Sequence, residues 1–198
     1  MNNMENVEIA ENKKPKRKLI IIGIIVFICI IAGLILFLQS RKSAYIEKLE
    51  TTRIEMLDGG GEAESLCDLT NKVWYNAIYK ERDEETDKYT RTNYGIADYF
   101  VDFDEAIQNL YSDEDTINEV LKIQENQEEV KTLIKDLQNP PNGLDDCYDT
   151  ILNMYDYYKN LTDLAISPTG SLEDYSNNKN KAIDGFMTEY EKLDNIMP

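Results

Sequence analysis

Leu19 to Leu38 reads LIIIGIIVFICIIAGLILFL: twenty residues with no charge and no proline. At 1.5 Å rise per residue such a helix is about 30 Å long, the thickness of a bilayer's hydrocarbon core. No polar stripe runs along it. The flank before it, Lys13-Lys14-Pro15-Lys16-Arg17-Lys18, is strongly basic, and the flank after it holds only Arg41 and Lys42. The larger basic cluster stays in the cytoplasm, so the N-terminus is expected inside and residues 43–198 outside. A cleaved signal peptide has an apolar region of about 7–15 residues followed by a small-x-small site. This run is longer, and Phe37-Leu38-Gln39-Ser40 has no such pair. The expected organisation is a basic cytoplasmic tail (1–18), a retained transmembrane helix (19–38) and an acidic extracytoplasmic domain (39–198). Gly23 and Gly33 do not form a G-x-x-x-G dimerisation pair.

Charge is placed unevenly. Of 21 basic and 38 acidic side chains, seven basic and three acidic lie in residues 1–42, so the rest carries 14 against 35, a net of −21. Such a field repels phosphate backbones and argues against nucleic acid as a partner. It suits solubility or a cationic partner. The chain has no histidine. That removes the usual general base, the usual zinc ligand and every Ser-His or Cys-His arrangement. No cofactor or metal site is expected.

Heptad spacing dominates the external region and strand signals are weak. One register runs Leu49, Met56, Ala63, Thr70, Ala77; a second runs Tyr45, Thr52, Gly59, Leu66, Val73. Both pass through Gly59-Gly60-Gly61 in phase. Three glycines cost a helix about 3 kcal/mol relative to alanine, yet the preserved phase predicts one long helix from about Lys42 to Glu81. The glycines would then be a close-packing point or a hinge. Asp83 to Gly95 reads as a polar loop. A short helix follows with Phe100, Phe103, Ile107, Leu110 and Tyr111 on one face. Ser112 or Asp113 can cap the next helix, which points Ile117, Val120, Ile123, Val130, Ile134 and Leu137 inward until Pro140-Pro141 ends it. A further helix covers about Leu144 to Ile166. Ser171 then caps the last, with Asp174 three residues on. The predicted fold is all-α: a transmembrane helix, then an antiparallel up-and-down bundle of four long helices plus one short.

Several stretches carry a resemblance. Ala63-Glu64-Ser65-Leu66-Cys67, Val73-Trp74-Tyr75-Asn76, Leu137-Gln138-Asn139-Pro140-Pro141, Tyr148, Tyr155, Tyr158, and Ser167-Pro168-Thr169-Gly170-Ser171-Leu172 are similar to a set of membrane-anchored helical proteins of Gram-positive bacteria. The resemblance covers most of residues 56–194. It implies a bacterial source and an anchored helical domain. That set has no assigned activity, and it contributes no catalytic residue.

Candidate sites are few. Cys67 and Cys147 both fall on core-facing positions, and two readings are open: a disulfide between adjacent helices outside the cell, or two small buried hydrophobes in separate places. Asp83-Glu84-Glu85-Thr86-Asp87 and Asp113-Glu114-Asp115 lack the glycine and glutamate spacing of a calcium loop. Of the thirteen tyrosines, Tyr75 and Tyr79 are four apart and off the inward register, and Tyr157 is off the face of its helix. Trp74, on the inward side, borders the pair. Exposed aromatics are candidate binding anchors, so Trp74, Tyr75, Tyr79 and Tyr157 form the candidate partner-binding set; cover by the short helix or the polar loop is the other reading. The function expected is a binding or scaffold module for another envelope component. The alternatives are an envelope hydrolase built on paired carboxylates and an accessory ligand-sensing module. Beyond an envelope protein, the partner expected is the lipid bilayer, through residues 19–38.

Overall fold

The computed structural model describes residues 14–92 and 98–198, with side chains from Ile21 onward. Residues 1–13 of the basic tail and 93–97 of the polar loop lie outside the described residues. The protein is all-α. In order come α1 (Lys14–Tyr79), α2 (Asp87–Thr90), α3 (Phe103–Tyr111), α4 (Glu114–Asp136), α5 (Asp145–Ile166) and α6 (Leu172–Ile196). Among the described residues the nearest approach to a sheet is one isolated antiparallel bridge, Arg91 with Phe100. The chain divides into two units, Met1–Ala44 and Tyr45–Pro198.

In the first unit, Ile21 to Leu38 is helical and its large side chains are exposed, Phe27 and Leu36 among the most. It is long and apolar enough to cross a membrane. The helix does not stop at Leu38 as the sequence suggested. Gln39, Ser40 and Arg41 hold neither glycine nor proline, so nothing locally breaks it.

The second unit is the bundle. The α1 segment from Tyr45 to Tyr79 runs beside α4, α5 and α6. Tyr45 donates its hydroxyl to Leu137 O at the far end of α4 (2.8 Å), so α4 runs against α1. Leu144, at the start of α5, joins the same cluster as Tyr45, and Ala165, at its other end, joins the cluster of Cys67 and Trp74. Helix α5 therefore runs with α1. Arg53 pairs with Asp194 and Lys179 with Asp68, which turns α6 against both. The topology is up, down, up, down, with α2 and α3 closing one end through Val73, Ala77, Tyr89, Val101, Ala106 and Leu110.

Both heptad registers are buried along their whole length, Gly59 included. Each fully buried leucine, isoleucine or methionine contributes about 1.5–3 kcal/mol relative to exposure. The glycines do not interrupt the helix, and they are not equivalent. A Cβ on Gly59 would stand 1.7 Å from Asn126 Oδ1, whereas one on Gly60 or Gly61 would meet nothing within 4 Å. Gly59 is the close-packing point between α1 and α4. Asn126 fills it, donating to Glu55 O (3.2 Å) and accepting from the Tyr158 hydroxyl (2.6 Å).

Terminal signals act as expected. Asp113 caps α4 through Asp115 N (3.2 Å), and Ser171 Oγ caps α6 through Asp174 N (3.1 Å). Helix α1 ends at Tyr79, two residues before the expected Glu81, where Lys80 takes φ 56°. The polar loop holds more order than its composition suggested: Asn76 donates to Thr86 Oγ1 (2.8 Å), and Thr86 starts α2. Ile117, expected inward, is 43% exposed, because the core of α4 is carried by Thr116 and Ile123 on the adjoining face.

The disulfide reading is corrected. Cys147 packs with Tyr45 and Leu137, and its thiol faces Ile196 O at 3.8 Å. Cys67 packs with Trp74 and faces Leu161 O at 3.9 Å. Leu161 is fourteen residues beyond Cys147 on α5, about 21 Å along the axis. That is well outside disulfide range.

Candidate functional site

The last two turns of α1 put Tyr75, Ile78 and Tyr79 on one exposed edge, at 48%, 42% and 59% exposure. Spacings of three and four residues bring side chains together on a helix, and the two tyrosine rings lie 4.5 Å apart. They line an open groove of about 910 Å³ whose other wall is the start of α6, with Leu172 and Ser176. Helix α6 is held there by the Lys179–Asp68 pair and by Tyr175, buried against Trp74 with ring centroids 5.8 Å apart. At the groove's rim Lys72 bridges Asp83 (2.9 Å) and Glu85 (2.6 Å), which ties α1 to the loop beneath. Tyr75 and Tyr79 remain exposed beside this tie.

Of the four candidate aromatics the structure unites two. Trp74 is 7% exposed and stacks on Phe103 (6.3 Å); it supports the edge from within the core and offers no contact surface. Tyr157 is half-buried, not solvent-facing as its phase suggested. Its ring lies against Gly185, where a Cβ would come within 2.3 Å of a ring carbon. It lines a different groove, of about 510 Å³ between α5 and α6. Ile78 was missed in the sequence although its i+3 spacing from Tyr75 marks it. The α6 wall had no sequence signal, because it depends on which helices neighbour each other.

The acidic runs are engaged structurally. Asp83 accepts from Lys72 and from Glu85 N (3.0 Å), and these bonds hold its carboxyl below the usual range, Lys72 foremost. Asp87 accepts from Asp83 N (3.1 Å) and Arg91 (3.0 Å). Asp113 caps α4 and takes Lys88. The carboxyl of Glu55 is pushed up, first by burial and then by Glu129 and Asp58; it lines neither groove. Among the described residues no three Cys, Asp or Glu side chains are grouped to hold a metal. Burial pushes the Cys67 thiol up to about 11, well above a reactive thiolate's range. Burial likewise pushes up the hydroxyls of Tyr111, which donates to Ala165 O (2.7 Å), and of Tyr175. These are packing groups with satisfied hydrogen bonds.

No protein family, curated protein or solved structure matches the chain.

Proposed function

We propose that the chain is an anchored docking module of a bacterial cell envelope. Leu19–Leu38 crosses the cell membrane with the basic N-terminus in the cytoplasm, and the bundle works outside. Its binding edge is Tyr75, Ile78 and Tyr79, which takes a segment of another envelope protein. The observation that carries this reading is the side-by-side exposure of three large side chains at a groove backed by a rigid core. Clustered aromatics of this kind anchor protein interfaces. The net charge of −21 beyond residue 42, from 14 basic and 35 acidic residues, favours a partner with a basic rim. The resemblance to anchored helical proteins of Gram-positive bacteria agrees with the location.

The test is in-cell crosslinking of the full-length chain with a reagent confined to the exterior, followed by mass spectrometry. One dominant envelope protein, lost in Tyr75→Ala/Tyr79→Ala, is expected. Capture that is unchanged in this double variant would remove the groove from the function. Labelling from the cytoplasmic side alone would overturn the orientation.

A further inference from the structure

The groove between α5 and α6 has a composition unlike that of the tyrosine edge. Its floor is the Tyr157 ring, held flat by Gly185. A Cβ there would lie 2.3–2.5 Å from three adjacent ring carbons, so glycine is what allows the ring to rest face-on against α6. The groove is completed by Asn160 from α5, Thr169 from the connecting turn, and Asn178 and Lys181 from α6. The turn that brings Thr169 in is set by Gly170, whose φ of 92° suits glycine alone among ordinary residues. Asp163, also at the groove, is already engaged by Lys159 and by Gln127 Nε2 (3.0 Å). Its charge is therefore offset before any ligand arrives.

What is left facing the groove is two amides, the hydroxyls of Ser167 and Thr169, and one ammonium. A side-chain amide offers paired donors and an acceptor, the pattern that adjacent hydroxyls match. An aromatic face takes the apolar C–H face of a ring. The volume, about 510 Å³, is in the range of small-ligand sites. Among the described residues Lys181 is the one cationic side chain lining the groove, so it favours an anionic substituent at that end. We propose that this groove binds a saccharide unit, stacked on Tyr157 and hydrogen-bonded by Asn160 and Asn178, with a carboxylate substituent directed to Lys181. A sugar carries partners for the ring, the amides and the ammonium, whereas a purely apolar or a purely anionic ligand would leave the amides or the ring unmatched. The site is separate from the partner groove, which lies on the other flank of α6 at Ser176 and Asn177, and does not depend on it.

The full-length chain in phosphatidylcholine nanodiscs, free of glycoside detergent, would be applied to an array of neutral and carboxylated oligosaccharides with polyglutamate as the non-sugar anion. Retention on saccharides, strongest on carboxylated ones, is expected. Lys181→Gln should reduce the carboxylated signal about tenfold, the scale of one charge-assisted hydrogen bond, and leave the neutral signal. Asn160→Ala/Asn178→Ala, at exposed positions, should weaken both with unchanged circular dichroism. No retention on any saccharide by the folded chain would overturn the proposal. Equal retention on polyglutamate would also overturn it, as plain charge attraction.

Discussion

Replacing each of the three consecutive glycines by alanine separates helix propensity from packing on a single turn. Alanine stabilises a helix interior by about 0.8–1 kcal/mol over glycine. At Gly60 and Gly61 the new methyl meets nothing within 4 Å, so each substitution should stabilise by about that amount. At Gly59 the methyl would stand 1.7 Å from Asn126 Oδ1 and 2.4 Å from its Cγ. A short side chain cannot clear both atoms by a small rotation. Asn126 must leave its place, and with it go the bonds to Glu55 O and from the Tyr158 hydroxyl. Tyr158 is 1% exposed, so its hydroxyl would lack a partner at about 1–3 kcal/mol. With crowding of about 1–3 kcal/mol set against the propensity gain, Gly59→Ala should destabilise by about 1–5 kcal/mol. Chemical unfolding of the full-length chain in nanodiscs, read by the single tryptophan Trp74, measures this. For a bundle of this size 1 kcal/mol moves Tm by about 2–4 °C. Asn126→Ala closes the cycle: in that background Gly59→Ala should lose most of its penalty. If Gly59→Ala stabilised the chain like its neighbours, the close approach of α1 and α4 would be refuted.

Three further outcomes follow from named contacts. The folded pKa of Glu55 is raised, so its favourable contribution is complete below the unfolded value and lost as pH rises through the folded one. Glu55→Gln should therefore be more stable than the parent at neutral pH, with the gap closing toward about pH 4, as urea titrations across that range would show. Cys67 and Cys147 should resist a thiol reagent in the native chain and react at once in guanidinium, with no intramolecular disulfide on non-reducing gels; native labelling at the unfolded rate would contradict their burial. Tyr75→Ala/Tyr79→Ala should change stability by under about 0.5 kcal/mol per site while removing the crosslinked partner, because both rings are exposed.

How much of this was legible depends on whether a property belongs to one helix or to two. Periodicity is a property of one helix. The two registers from Tyr45 to Ala77 therefore read directly as the buried seam, and the caps at Asp113 and Ser171 read as helix starts, because each acts within one turn. The exposure of Tyr75 and Tyr79 was legible for the same reason: both sit off that seam. Tyr157 read the same way and failed. Its phase is outward on α5, but Gly185 on α6 leaves a flat place for the ring, and only the pairing of those helices reveals it. The cysteines divide the same way: their burial was legible, but which of the two open readings held was not, since two inward positions share a core without sharing a level along the bundle.

The glycine run joins both cases. Its register position already distinguishes Gly59, which lies on the buried seam, from Gly60 and Gly61, which do not. The reason a side chain is excluded there is Asn126, a polar residue of α4. Asn126 and Gln127 are the groups that fix α4 against its neighbours: Asn126 through Glu55 O and Tyr158, Gln127 through Thr162 (2.7 Å) and Asp163 (3.0 Å). Apolar contacts alone would let α4 slide by a turn with modest loss. These directional bonds lock its level, because a shifted helix would leave buried polar groups without partners. The level of α4 in turn sets where α5 begins, and the Lys179–Asp68 pair sets where α6 meets α1. The tyrosine groove thus inherits its shape from polar residues far from it in sequence.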